Sequence, residues 1–470
     1  MKRLVALACL SLAVAGLLAQ LSAAAFTGST SIPSNTVTVD KLANYFSVVP
    51  GTAVQPGTST AVASGNVDTM ALDFGTVPSA RTFTSVFRIT NVSGATHTAT
   101  LALSSVPQVS SAVFASSGSG SVTLAAGVST TLTVTTSSTV AGRGSGSLRL
   151  GLAGVSWLYR DYSFHIDEAP EAPTAPAVVQ KPAGRLDLSW TASTTVTNLA
   201  GYDVYRSSGA AYTKLNGSPL TGTTYSDTAT ADGTTYTYKL TAVSSGSPVL
   251  TSLDSTTVTA TADASAPGAP TTVALANGGG AGGAYVNAGN AASLSISITL
   301  PAGSLTTDSV KLTVSNGANS VITTMAGPAG SGTITVTGLN VAALGDGTLT
   351  LSANSTDLAG NVGTTTSVTV TKDTAAPAAP TAAYTDNNNT NADQISGTAE
   401  ANASINVTKN APAPTATYPT TANGSGAYSV LVFAANGKPS TPIPVSYTIT
   451  ATDAAGNTSG ATTLNFSDTK

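Results

Sequence analysis

Two clusters in this chain combine side chains whose type and spacing suit metal chemistry. Asp161, His165 and Asp167 fall at i, i+4 and i+6 of a run in which Leu158, Tyr162, Phe164 and Ile166 alternate with polar residues. On a strand, that alternation buries the apolar set and leaves the three polar groups on the other face, separated by about 13 Å and then about 7 Å. They project in parallel. Convergence on one ion would need a bulge, and a solvated strand face is the plainer reading. The second cluster is Asp386-Asn387-Asn388-Asn389 with Asn391 and Asp393. The hard oxygens of Asp386, Asn388 and Asp393 suit Ca2+. The spacing lacks an EF-hand's central Gly and terminal Glu, and an Asn-rich turn needs no ion. No cofactor is expected, and calcium at these three residues is the one candidate.

Catalytic groups are scarce. His97 and His165 are the only imidazoles and Cys9 the only thiol, so a Ser-His or Cys-His nucleophile has almost no candidates. A carboxylate pair for glycoside hydrolysis needs a deep cleft, which short strands do not promise. The glycine run from Gly278 to Gly283 precedes no helical period and is no phosphate cradle. The expectation is a non-enzyme with no catalytic residues.

The elements that position these groups are strands between proline joints. Ala-Pro-x-Ala-Pro occurs at Ala169–Pro173, Ala266–Pro270 and Ala376–Pro380. Proline fixes φ, lacks an N–H for a ladder and extends the residue before it, so each copy interrupts a strand and acts as a stiff spacer. The intervals suit one sandwich each. Before the first joint, Met1-Lys2-Arg3, the apolar run from Leu4 to Leu21 and Ala23-Ala24-Ala25 form a secretory leader cleaved after Ala25. Cleavage removes Cys9, so disulfides do not hold the domains, and takes the net charge from −4 to −6. Nucleic acid and acidic membranes are disfavoured partners. Charged residues are 9% of the chain, far below the ~25% of ordinary globular proteins. The surface must be rich in hydroxyls.

Several stretches resemble known families. Leu72 to Val77, Ile89-Thr90-Asn91 and Leu124 to Ser129 resemble the abnormal-spindle/Hydin-type immunoglobulin-like domain, leaving 26–71 as extra strands or an extension. Leu186 to Trp190, Gly201 to Arg206, Thr224 to Asp227 and Gly233 to Val243 resemble a fibronectin type III domain. That resemblance implies Trp190 in the core and Tyr236 at the tyrosine corner. No Arg-Gly-Asp tripeptide is present. Asp357-Leu358-Ala359-Gly360-Asn361 and Asp453-Ala454-Ala455-Gly456-Asn457, with Ser396 to Glu400, are similar to the Ig-like repeats of bacterial surface adhesins. Read from the residues, Asp-x-x-Gly-Asn is a tight turn with Gly at positive φ.

The expected fold is all-β, four tandem immunoglobulin-like or fibronectin III-like sandwiches in an elongated array. The expected divisions are 1–25 leader, 26–168, 169–264, 265–375 and 376–470. The expected function is a secreted or cell-surface structural and adhesive protein without a membrane span after cleavage. Its partners would be an extracellular protein, a polysaccharide or another copy. Tyr202, Tyr205, Tyr212 and Tyr225 are candidates for a sugar-binding face, although strand alternation buries about half of such a set. A carbohydrate-binding accessory protein of a hydrolase system and a self-assembling fibre or envelope-layer subunit, with 26–71 donating a strand, stand as alternatives.

Overall fold

The computed structural model describes residues 30–32, 35–37, 40–386, 393–432 and 441–468, so the expected leader lies outside the described residues. Within them, every regular element is a strand except three short 3-10 turns. The alternation of aliphatic with hydroxyl side chains is the cause. In Leu294–Leu300, buried and half-buried residues take strict turns, the signature of one face on a core and one facing water. The chain divides into two compact units, residues 1–180 with 185–262 and residues 181–184 with 263–470.

The first unit holds two sandwiches. One sheet of the N-terminal sandwich runs Ser121–Leu124, His97–Leu103, Gly142–Leu152, Tyr159–Glu168, Ala71–Val77, Ala63–Ser64. Its partner sheet runs Phe46–Pro50, Phe87–Asn91, Ser129–Thr136, Thr82–Phe83, with Val109–Phe114 also on Ser129–Thr136. Between them, Phe74 meets Phe83 edge-on and Phe164 at a tilt, both at 4.9 Å. Leu42, Phe46, Val48, Val62 and Met70 belong to this same buried core, and Phe46–Pro50 pairs with Phe87–Asn91. The later part of the 26–71 stretch is therefore built into its own sandwich as extra strands.

The second sandwich sets Thr174–Gln180, Leu186–Thr191 and Thr224–Asp227 against Thr213–Lys214, Leu199–Ser207, Thr235–Ser244 and Val258–Thr261. Trp190 is buried and meets Tyr202 edge-on at 5.6 Å. The Tyr236 hydroxyl accepts the backbone N–H of Ala231 at 2.9 Å, the tether that a tyrosine corner makes.

The second unit also holds two sandwiches. In one, Thr272–Leu275, Leu294–Leu300 and Gly332–Leu339 face Tyr285–Val286, Thr366–Lys372, Gly347–Thr356, Ser309–Ser315 and Ser320–Ala326. In the other, Ala383–Thr385, Asp393–Thr398 and Ala427–Val432 face Ala416–Thr421, Ser404–Ala411, Ile443–Thr452 and Thr462–Asp468. Each Asp-x-x-Gly-Asn segment is a tight turn leading out of a long strand, with Gly360 at φ 93° and Gly456 at φ 90°. The aspartate closes the turn. Asp357 Oδ1 accepts from the N–H groups of Gly360 and Asn361, and Asp453 Oδ1 from that of Asn457, each at 2.8 Å.

Exposed faces are stitched by paired hydroxyls. Thr98 meets Thr123 at 2.8 Å, Thr235 meets Thr261 at 2.8 Å, Thr299 meets Thr333 at 3.0 Å and Thr381 meets Thr398 at 2.8 Å. This is how a surface with so few ions satisfies its polar groups.

Candidate functional site

The face that carries Asp161, His165 and Asp167 is the outer surface of Tyr159–Glu168. Its neighbour Gly142–Leu152 places Arg143 opposite Asp167, Ser145 opposite His165 and Arg149 opposite Asp161. Both aspartates are therefore spoken for. Arg149 grips Asp161 in two bonds of 2.8 Å, and Arg143 grips Asp167 at 2.9 and 3.2 Å. On the other side, the parallel pairing with Ala71–Val77 shifts register between His165 and Asp167. Asp73 stands directly opposite His165 ahead of that shift, its carboxyl 2.9 Å from His165 Nδ1, while His165 Nε2 lies 3.6 Å from Asp167. Burial acts on the Asp73 carboxyl, yet bonds from His165 and the Gly75 N–H prevail and hold it below the usual carboxylate range. The row Asp73–His165–Asp167–Arg143 is a ladder of side-chain contacts across three strands. Asp161 stands apart with Arg149, and no group of three or more His, Cys, Asp or Glu gathers to hold a metal among the described residues.

Of the proposed calcium ligands, Asn388 lies outside the described residues. Asp393 is buried at the start of Asp393–Thr398, and its Oδ2 accepts the Tyr384 hydroxyl at 2.6 Å. Asp386 follows Ala383–Thr385.

The four candidate tyrosines separate as alternation requires. Tyr202 is in the core, its hydroxyl accepting the Ser193 N–H at 2.9 Å, and Tyr225 is half-buried against the same core. Tyr205 and Tyr212 share the outer face of the four-stranded sheet, flanking Lys239, whose ammonium lies 5.6 and 4.6 Å from their ring centres. Asp254 neutralises that ammonium at 2.8 Å.

A second aromatic surface escaped the sequence reading. Trp157, in the turn before Tyr159–Glu168, is 57% exposed. Two residues further along the chain, Tyr159 carries the Arg149 guanidinium 3.7 Å over its ring, with Arg149 also bonded to Asp161. An exposed Trp in a hairpin turn is the signal that was available, and cross-strand registry is what was missing.

Two surface clefts can be described by their linings. One, of about 540 Å3, is lined by Arg81, Thr82, Ser110 and residues 135–139, all hydroxyl-bearing except for Arg81 and Ala80. The other, of about 460 Å3, is lined by Ala411, residues 444–446 and residues 465–467 and has no ionisable side chain. Neither contains a general base. Beneath the first, Glu168 is 1% exposed. Burial pushes its carboxyl up to about 8, against a donated bond from Thr136, with Glu171 adding to the rise and Arg81 opposing it.

The sheets, the core Trp190 and the tethered Tyr236 define tandem β-sandwiches of the immunoglobulin and fibronectin III class. Residues 376–468 match the family described as Bacterial Ig domain. No curated protein matches the chain. Among solved structures, a fibronectin III-like protein from Clostridium thermocellum is 33% identical over 19% of this chain and 91% of that one, with a TM-score of 0.17. A structure concerning host cell surface retention of a 1.5-MDa bacterial ice-binding adhesin is 21% identical over 64% of this chain and 98% of that one, with a TM-score of 0.27. A tetra-tandem repeat from the extending region of a large adhesion protein is 18% identical over 83% of this chain and 96% of that one, with a TM-score of 0.23. No helix among the described residues is long and apolar enough to cross a membrane.

Proposed function

We propose that this chain is a secreted or cell-surface, non-enzymatic protein whose work is structural and adhesive. The observation that carries the reading is the bacterial Ig-type module at 376–468 set in tandem with three further sandwiches. Sandwich cores supply resistance to unfolding, and exposed faces supply weak, repeated contacts to a polysaccharide, a protein or another copy.

Size-exclusion chromatography with small-angle X-ray scattering on residues 26–470, across a concentration series, tests this. Concentration-independent monomer mass supports the spacer-like adhesin, and growth into large particles replaces it with self-assembly.

The carbohydrate-binding reading draws on Trp157, Tyr159 and Arg149. Aromatic faces stack on sugar rings, and the Arg149–Asp161 pair offers hydroxyl partners beside them. A glycan array separates the two readings. Binding that disappears in Trp157→Ala favours the accessory module, and a blank array leaves the structural reading alone.

A further inference from the structure

The Asp-x-x-Gly-Asn turns do more than join two strands. Asn457 is buried, and each hydrogen-bonding group of its amide has a partner. One Nδ2 hydrogen goes to Asp453 Oδ2 at 2.8 Å within the turn, and the other reaches the backbone carbonyl of Asp373 at 2.9 Å. Its Oδ1 accepts the N–H of Ala288 at 2.9 Å. Asp373 lies at the head of the proline joint and Ala288 in a loop of the preceding sandwich. Only an amide in this orientation can serve a carboxylate, a carbonyl and an N–H together.

The preceding sandwich is shaped to receive this turn. Asn287 Nδ2 donates to the carbonyl of Ala455 at 2.8 Å. The glycine run supplies the clearance. A Cβ on Gly280 would stand 2.2 Å from the Ala454 carbonyl oxygen, and Gly280 itself sits at φ 70°. A Cβ on Gly279 would meet Asn287 at 2.1 Å and Ala455 at 2.9 Å. The far end of the joint is also tied, because Thr462 Oγ1 donates to the Pro380 carbonyl at 2.5 Å.

The same constellation occurs a second time. Asn361 Nδ2 serves Asp357 Oδ2 at 2.9 Å and the Asp263 carbonyl at 3.0 Å, Asn361 Oδ1 accepts the Ala183 N–H at 2.8 Å, and Thr366 donates to Pro270 at 2.5 Å. Two turns with one motif make the same set of bonds to a joint aspartate's carbonyl and to an alanine N–H in an earlier loop. A hairpin turn alone requires neither bond.

We propose that the Asp453–Asn457 turn is a latch. It seats in the glycine-lined socket formed by residues 278–288, clamps the joint at Asp373, and so fixes the orientation of the last sandwich on the one before it. Asn457 is the positioning residue, Asp453 aims it, and the glycines let the two backbones approach.

The test is a spin-label distance measurement on residues 26–470, which hold no native cysteine. Labels are placed at Thr324→Cys and Thr417→Cys, exposed positions on the edge strands Ser320–Ala326 and Ala416–Thr421. The labelled protein gives a narrow distribution. Asn457→Ala roughly doubles its width, because a freed joint samples many orientations. Asn423→Ala, which removes an amide that caps only its own turn in the same sandwich, leaves the width unchanged. A distribution for Asn457→Ala that superimposes on the parent overturns the proposal, as does equal broadening by Asn423→Ala. If Asn457→Ala unfolds the last sandwich, Gly280→Ala decides, since it obstructs the socket without altering the turn. Broadening or a shift then supports the latch, and an unchanged distribution removes it. No ligand takes part in the readout, so the latch and the adhesive function stand or fall separately.

Discussion

Thr136 donates its hydroxyl to Oε1 of Glu168 at 3.2 Å, while Oε2 of the same buried carboxyl has no hydrogen-bond partner. A half-satisfied buried acid keeps its proton, which is the physical content of its raised pKa. The sign of the pH effect follows. Below the ordinary 4.5, folded and unfolded chains both hold the proton and the group is neutral to stability. Between 4.5 and about 8 only the folded chain holds it, so stability falls as pH rises, and above that the loss is complete. Glu168→Gln should match the parent at pH 4 and exceed it by about 2–4 kcal/mol at pH 9. Denaturant melts at the two pH values measure this, and parallel curves at both would refute it.

In the fibronectin III-like sandwich, Asp227 is the polar hub. It is buried and accepts from Arg206 at 2.9 Å, from the Tyr238 hydroxyl at 2.8 Å and from the Ala229 N–H at 3.1 Å. Tyr238→Phe should cost about 1–1.5 kcal/mol. Asp227→Ala should cost about 3 kcal/mol, because it strands a largely buried guanidinium as well as the phenol. Equal losses for the two variants by urea titration would contradict the hub.

Lys372 is 3% exposed and its ammonium meets Asp346 Oδ1 at 2.6 Å. That bond, against a modest desolvation and with help from Thr374, holds the Asp346 carboxyl below its ordinary 3.8. The stabilisation is present above pH 3.8 and is lost as pH falls through the lowered value. Asp346→Asn should therefore lower the melting temperature at pH 7, and the gap to the parent should close under strong acid. A gap that persists there would assign the loss to packing instead.

The last sandwich is filled by aromatic rings. Phe466 stacks on Tyr384 at 3.6 Å and lies nearly parallel to Tyr447 at 6.0 Å. Tyr447 is fully buried, so Tyr447→Ala should cost about 3–5 kcal/mol through the cavity it leaves. Calorimetry of the full chain should show one transition moving down and the others holding.

Strand placement was legible wherever alternation was strong, as in Leu294–Leu300, and Trp190 and Tyr236 took the places that the fibronectin III resemblance implied. Edge strands were harder to read. Ala416–Thr421 carries Pro419 and only one large apolar residue, because an edge strand makes few core contacts and tolerates a missing N–H. The Asp161–His165–Asp167 face was located, but its partners Arg143, Arg149 and Asp73 come from neighbouring strands, whose register no local spacing encodes. The glycine run was read as a stretch that precedes no helix and cradles no phosphate. Its clearance for Ala454 joins residues about 170 positions apart, which periodicity cannot reveal.

The paired threonines of the exposed faces carry no charge for dissolved ions to screen. A protein stitched in this way has nothing at those contacts for salt to weaken, so raising the ionic strength leaves these seams as they are.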